Sequence, residues 1–470
     1  MVKEYGGEER KKGLWNKMLD VEEAKTQVLF AVPMILTNVS YFSITLVSVM
    51  FAGHLGKTQL AASTLANSWA SVTGFIILIG LSGALETLCG QGYGAKMYRM
   101  LGIYLQSSII ISLFYSIIAS FIWFYSEPIL ILLHQEPQVA KMAAIYLRHL
   151  IPGLFAFALL QCILRFLQTQ TVVLPLVICS LVPLLIHVGL TYVLVYRTVL
   201  GFRGAPLSAA ITLWLSVIML GIYVHYSDKL KDTWKGISKE CFKHLLPNMK
   251  LAIPSAVMVC LEYWAFEALV ILAGLMPNSE DSTSLIAMCL QTESGVFMIS
   301  YGFSAVVSTR VANELGAGNT DRARNIVAVT LKLSVFLALV IILFLVFGHN
   351  IWASAFSDNP DIKKEFASMT PLLVVSIFID SIVAVLSGVS RGCGLQHLAA
   401  WSNLASFYVV GLPVAVLVGF KASLHVKGLW IGSICGLFCQ VSILVLITLR
   451  TNWQNLELSV NKENEMTSAV

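Results

Sequence analysis

The amino-acid sequence predicts an all-α polytopic membrane protein, with twelve transmembrane helices in two pseudo-symmetric six-helix lobes. Three observations predict it: the composition, the number of long apolar runs, and an internal repeat. Of 470 residues, 57% are hydrophobic and 12% charged, and the mean hydropathy is +0.79. Soluble domains carry roughly 45–50% apolar and 25% charged residues, so this apolar excess needs lipid to shield it. The net charge of +5 is spread between the apolar runs. That distribution argues against a nucleic-acid-binding face and makes the cations reporters of topology.

A helix needs about 20 consecutive apolar residues to cross a bilayer. The first half supplies runs at 28–53 with Pro33, 60–85, 103–125, 142–167, 172–196 with Pro175 and Pro183, and 206–226. The second half supplies 250–275 with Pro254, 284–309, 325–349, 367–390 with Pro371, 398–420 with Pro413, and 428–449. Prolines are tolerated here because neighbouring helices and waters re-satisfy the freed backbone groups. The first run follows a stretch of mixed charge, so it reads as a retained span and not as a cleaved signal peptide.

The expected organisation is therefore a tail at 1–27, a first lobe at 28–227, a basic loop at 228–248, a second lobe at 249–450 and a tail at 451–470. With both termini cytoplasmic, the inner segments hold most of the Lys and Arg, including Lys229, Lys231, Lys235, Lys239, Lys243 and Lys250. That orientation obeys the positive-inside rule. The outer loop at 350–365, with Asp358, Asp361, Lys363, Lys364 and Glu365, shows that the bias is an excess and not a strict segregation. Cys89, Cys162, Cys179, Cys260, Cys289, Cys393, Cys435 and Cys439 lie in or beside apolar runs without a Cys-x-x-Cys pair, and read as small buried hydrophobes. No metal site and no cofactor are expected.

A shift of about 221 residues brings the halves into partial register: Ala31, Pro33, Ala52 and Gly53 fall on Ala252, Pro254, Ala273 and Gly274. One residue more aligns Gly80, Ser82, Thr87, Gly94 and Ala95 with Gly302, Ser304, Thr309, Gly316 and Ala317. At a slightly smaller shift Pro152 meets Pro371. The matches cluster at Pro and Gly, where backbone shape is decided. Even-numbered repeats enter the membrane in the same direction, an arrangement of carriers that bind substrate near the midplane.

The residues that most need explaining are Glu262, in Val259-Cys-Leu-Glu-Tyr-Trp-Ala-Phe-Glu267, and Asp380, in Ile377-Phe-Ile-Asp-Ser-Ile-Val-Ala-Val-Leu386. A carboxylate at membrane depth is costly and is kept mostly where it faces a cavity, a partner or a proton path. The repeat sets Tyr41 opposite Glu262, Leu46 opposite Glu267 and Gln161 opposite Asp380, which confines these acids to the second half. Gly53-His-Leu-Gly-Lys-Thr58 ends like a phosphate loop, but the position that needs its first glycine is Phe51. No His-Glu-x-x-His or Gly-x-Ser-x-Gly pattern supports catalysis.

Four segments carry a family resemblance: Ser308-Thr-Arg-Val-Ala-Asn-Glu-Leu-Gly-Ala-Gly-Asn319, Cys89-Gly-Gln-Gly-Tyr-Gly-Ala95, Arg391-Gly-Cys-Gly394 and Leu261-Glu-Tyr-Trp264. Together, over essentially the whole membrane region, the chain resembles the plant branch of the multidrug and toxic compound extrusion (MATE) transporters. The resemblance implies export of organic, often cationic or amphipathic compounds in exchange for H+ or Na+, with H+ usual in the plant branch. It implies a protein that is not an enzyme and whose partners are a small organic substrate, H+ and the lipid bilayer. It also carries proton and substrate handling onto Glu262, Glu267 and Asp380; Glu293 lies where only some members have an acid. A Na+-coupled exporter and a different twelve-span carrier are the alternatives.

A carboxyl group in a poorly solvated cavity can act as a proton switch, and Glu262 and Asp380 are the expected proton pair. Glu262 and Glu267, five residues apart, stand about 140° apart around a helix, so Glu267 lines the rim or braces its helix. Tyr41, Trp69, Tyr263, Trp264 and Tyr301 either offer faces to an organic cation or pack as anchors. Asn38 and Gln161 either bind substrate through neutral hydrogen bonds or join helices. Pro33 and Pro254 occupy equivalent places where a missing N–H lets a helix bend. Arg165, Arg310 and Arg391, at predicted cytosolic helix ends, read as snorkelling anchors. The glycines at 90–94 and 316–318 are expected to form tight turns. A monomer in the plasma or vacuolar membrane is expected.

Overall fold

The computed structural model describes residues 20–276, 279–354 and 360–456; most of both tails and Asp358 of the outer loop lie outside the described residues. Among the described residues, twelve helices are long and apolar enough to cross a membrane. They are α1 (Val21–Gly53), α2 (Lys57–Gly94), α3 (Tyr98–Phe124), α4 (Pro137–Thr169), α5 (Leu174–Arg197) and α6 (Gly201–Tyr226). The second six are α7 (Lys239–Gly274), α8 (Ser282–Gly316), α9 (Thr320–Ser354), α10 (Ile362–Gly392), α11 (Gln396–Lys421) and α12 (His425–Arg450). The predicted all-helical class holds, as does the number of spans.

The helices outrun the apolar windows that announce them. The 33 residues of α1 and α4 reach about 50 Å at 1.5 Å per residue, against roughly 30 Å of hydrocarbon. Their ends carry polar and charged side chains that dilute hydropathy without breaking the helix. One such extension is in α2, which continues to Gly94. The glycines at 90–94 therefore lie within a helix, and the turn beyond them is made by Lys96 in the left-handed region (φ 61°). At the equivalent end of α8, Gly318 does take a positive φ, 77°.

Exposed apolar side chains form stripes on the helix surfaces. On α3, Phe114, Ile117, Ile118, Phe121 and Phe124 are exposed, a run at helical spacing that forms one apolar stripe. On α9, Phe336, Leu339, Val340, Leu343, Phe344 and Phe347 form another. Between helices the packing relies on small residues, as expected where lipid is as apolar as leucine.

Packing divides the described residues into two compact units, one comprising 36–263 and the other 20–35 with 264–456. The start of α1 thus packs with the second-half helices. Gln27, fully buried, donates to the Ile326 carbonyl at 3.2 Å and accepts from Thr330 at 2.8 Å, and Glu23 pairs with Arg310 at 2.9 Å. The start of α7 packs with the first-half helices, where Asn248 donates to Ser108 at 2.7 Å. The internal repeat extends to these contacts. Gly80 lies directly against Ala256 in one unit and Gly302 directly against Ile35 in the other, and the offsets match those of the sequence repeat.

Each unit has its own core. Trp123, Tyr146, Leu147 and Leu154 centre the first, and Phe366, Met369, Leu373 and Trp430 the second. In α2 a π-helical turn spans Ser71–Phe75, and such a turn leaves carbonyls without helical partners. The Thr73 carbonyl accepts from Tyr115 at 2.7 Å, and the Thr73 hydroxyl accepts from Trp123 at 2.9 Å.

Candidate functional site

The site in the second-half unit begins with two glycines. Gly388 of α10 lies against the backbone of Ser304 on α8, and one turn on a methyl group at Gly392 would stand 2.7 Å from the Ser308 carbonyl. Only glycine lets these backbones approach so closely. Gly388→Val is expected to force the helices apart at a cost of about 1–3 kcal/mol or more. A lowered melting temperature in detergent checks this; an unchanged one would show that the helix contact is dispensable.

Further along the same pair of helices the interface becomes polar. The Ser376 hydroxyl of α10 lies 2.7 Å from Glu293 Oε2 of α8 and accepts from Trp430 Nε1 of α12 at 3.2 Å. Glu293 is 6% exposed, while Ser376 and Trp430 are fully buried. Glu293 Oε1 has no hydrogen-bond partner among the described residues, and neither oxygen meets a cation there. Ser376 has one proton and two acceptors, Glu293 and the Leu373 carbonyl at 3.0 Å, so its hydrogen bond can switch between them.

Asp380, 5% exposed, follows Ser376 by four residues and so lies on the same face of α10. The next residue, Ser381, accepts from Ser300 at 3.3 Å, and its carbonyl accepts from Ser334 at 3.0 Å. On α8 the residues at spacings of four, Glu293, Phe297 and Tyr301, make one stripe. Phe297 stacks on Tyr301 at 5.7 Å, and the Arg391 guanidinium lies 5.6 Å from the Tyr301 ring centre. Buried acids, a hydroxyl relay and an aromatic face thus share the packing of α8, α10 and α12. Such a set can hold and release a proton and can face an organic cation.

The α7 residues are divided. Glu262 and Tyr263 belong to the first unit and are half-buried, and Trp264 and Glu267 belong to the second, with Trp264 38% exposed and Glu267 half-buried. In the first unit, Tyr41 and Trp69 pack on the hydrophobic core while Gln161 is 7% exposed. Asn38 Nδ2 and Trp69 Nε1 are buried donors without a hydrogen-bond partner among the described residues. Pro33 and Pro254 lie inside continuous helices, with the division between units just after Ile35 in α1 and after Tyr263 in α7. No group of three or more metal-ligating side chains occurs among the described residues.

The arginines are not snorkelling anchors. Arg165 is 2% exposed and pairs at 3.0 Å with Glu86, itself 1% exposed, while also donating to Gln168 at 2.9 Å. Arg391 is 4% exposed and donates to Ser304 at 2.7 Å. Arg310 pairs with Glu23, with 15% and 10% of the side chains exposed. Each guanidinium finds acceptors on a neighbouring helix, which satisfies its planar set of donors better than a reach to the lipid headgroups. The partner Glu86 escaped notice because it stands one residue beyond the predicted end of the second span. Another residue missed was His187, fully buried in α5 with Thr212 at 2.9 Å and Ser48 at 3.1 Å. A single histidine in an apolar run carries no sequence signal of its partners on α1 and α6. Ser376 and Trp430 were equally silent.

Comparison with known proteins agrees with this geometry. The MatE family model matches residues 33–193 and 254–417. Protein DETOXIFICATION 18 of Arabidopsis thaliana is 54% identical over 451 residues, covering 96% of each chain. Protein DETOXIFICATION 16 of the same plant is 44% identical over 449 residues, covering 96% of this chain and 92% of its own. The crystal structure of the eukaryotic MATE transporter AtDTX14 superposes with a TM-score of 0.91 at 38% identity, covering 94% of this chain and 99% of that one. The match spans both repeats and the helices that bear the buried acids: the chain belongs to the MatE family of multi-pass membrane transporters.

Proposed function

We propose that this transporter exports organic, often cationic or amphipathic, compounds in exchange for H+, by alternating access with protonation of carboxylates in its second half. The observation that carries this reading is the pair of acids on α8 and α10, Glu293 and Asp380, at 6% and 5% exposure. Glu293 Oε1 is buried without a hydrogen-bond partner among the described residues, and either a proton or an organic cation offsets its charge there. Competition between the two is the basis of exchange, provided each favours a different conformation. Glu262 and Glu267 extend this acidic equipment onto α7. Tyr301 offers an aromatic face in the second unit, while Asn38, Tyr41, Trp69 and Gln161 supply neutral polar and aromatic groups in the first.

The reading also takes the protein to act as a monomer, with both termini cytoplasmic, in the plasma or vacuolar membrane. The DETOXIFICATION names of its relatives support export of xenobiotics or metabolites. The test is flux of a panel of labelled organic cations in proteoliposomes under an imposed pH gradient. Flux that follows the gradient is expected. Flux that ignores the pH gradient and follows Na+ would reassign the coupling ion.

Pro254 provides a second test. Its ring removes one helical hydrogen bond and lets α7 bend between its start and Glu262. Pro254→Ala is expected to lower the transport rate several-fold while raising helix stability. Unchanged flux would remove bending of α7 from the mechanism.

A further inference from the structure

We propose that the basic cavity between the start of α3 and the segment 232–243, which leads into and opens α7, binds a phosphorylated lipid headgroup. The cavity, of about 760 Å³, is lined by Lys96 and Arg99 on one side and Lys235, Lys239 and Lys243 on the other. Two acids also line it, Asp232 and Glu240, and Glu240 is engaged by Arg99 at 2.5 Å. The four lysines therefore face Asp232 alone, and none has an ion-pair partner among the described residues. Like charges gathered in one place repel, so an arrangement that holds them together is completed by an anion. The start of α3 adds to the field, since no side chain caps it and helix N-termini carry partial positive charge.

The lysine-bearing segment is a built part of the unit. Leu230 is fully buried, and Thr233 and Cys241 are 3% exposed. Gln106 of α3 fastens it twice, accepting from the Ser238 N–H at 2.8 Å and donating to the Gly236 carbonyl at 3.0 Å. Gly102 permits the contact, since a methyl group there would stand 2.5 Å from the Thr233 carbonyl. A solvated tether would need none of this.

The surroundings favour a lipid over a soluble anion. Leu246, Met249, Ile253 and Val257 form an exposed apolar stripe on α7, and at helical spacing the stripe runs back to Phe242, which is 62% exposed. Ile237, 94% exposed, precedes Phe242 by five residues in the chain. Lys239 and Lys243 flank Phe242, where a lipid-facing stripe gives way to charge. Basic residues at that depth meet headgroups while the adjoining apolar side chains meet acyl chains. A phosphomonoester on an inositol headgroup matches the cluster better than a singly charged lipid phosphate.

The experiment measures binding of a short-chain phosphatidylinositol monophosphate to the full-length protein in detergent, with soluble inositol bisphosphate and phosphatidylserine in parallel. The lipid is expected to bind, and the combined substitution Lys235→Gln, Lys239→Gln, Lys243→Gln to weaken it on the order of 100-fold at low salt. Gln106→Ala, which keeps every charge but unfastens the segment, is expected to weaken it roughly tenfold. An unchanged melting temperature of the triple variant without lipid separates loss of the site from loss of the fold; if that variant is misfolded, Gln106→Ala alone decides. Equal binding of the lipid to wild type and variants, or none to wild type, overturns the proposal. Equal binding of phosphatidylserine overturns recognition of a phosphomonoester, and equal binding of soluble inositol bisphosphate overturns the lipid as its source.

Discussion

Asp380→Asn is expected to reduce flux driven by a pH gradient to background, a loss of at least about tenfold, while leaving the fold intact. Asparagine preserves the volume and most hydrogen-bonding directions of aspartate but cannot take up or release a proton. Any role of Asp380 in packing should survive the substitution, and its role in coupling should not. The residue is 5% exposed on the face of α10 that also carries Ser376, so protonation there changes charge within the packed interior. Glu293→Gln should impair coupling too, because the Ser376 hydroxyl could still bond to the amide oxygen while the titratable proton is gone. The check is flux in proteoliposomes beside melting temperature in detergent. Retention of more than about half the wild-type gradient-driven flux by both variants would refute proton handling at α8 and α10 and move it to Glu262 and Glu267.

The second large effect concerns stability. Arg165→Met leaves Glu86 as a buried anion without its cation, and removal of one partner from a buried pair costs about 3–5 kcal/mol. The pair is 2% and 1% exposed at 3.0 Å, deep enough for that cost to apply. The double substitution Glu86→Gln with Arg165→Met should recover most of the loss, since it leaves no uncompensated charge. Arg165→Lys should recover only part, because one ammonium cannot reproduce the fork that engages both Glu86 and Gln168. A snorkelling anchor would behave differently: lysine would replace it fully, and Glu86 would be indifferent to it. Unfolding measurements on the four proteins, wild type included, distinguish the two.

The sequence is most informative where a single segment carries the information. An apolar run of transmembrane length announces a helix without reference to any other part of the chain, because the bilayer imposes the length and the backbone must satisfy itself internally. The acids at 262 and 380 stand out for the same reason, since a carboxylate in such a run is anomalous wherever the helix packs, whereas Glu293 is reached only through the family resemblance. Helix ends were harder. The charged and polar turns beyond each apolar window remain helical because tertiary contacts hold them, as Gln27 and Glu23 show at the start of α1. Glu86 was lost to the same effect, lying in the part of α2 that hydropathy does not report.

Partnerships lay beyond local reading. Nothing in the neighbourhood of Glu293 announces Ser376, 83 residues away, or Trp430 beyond it. Nor does the composition of 228–248 distinguish a solvated basic loop from a segment fastened to α3 through Gln106. By itself the sequence determined the membrane class, the twelve spans, the duplication and the acidic residues, because each rests on local hydropathy or on a repeat within the chain. Only the tertiary structure decided which arginines are paired, which hydroxyl meets which acid, and where α1 and α7 pack, because side-chain hydrogen bonds and close backbone approach depend on helices that are distant in sequence.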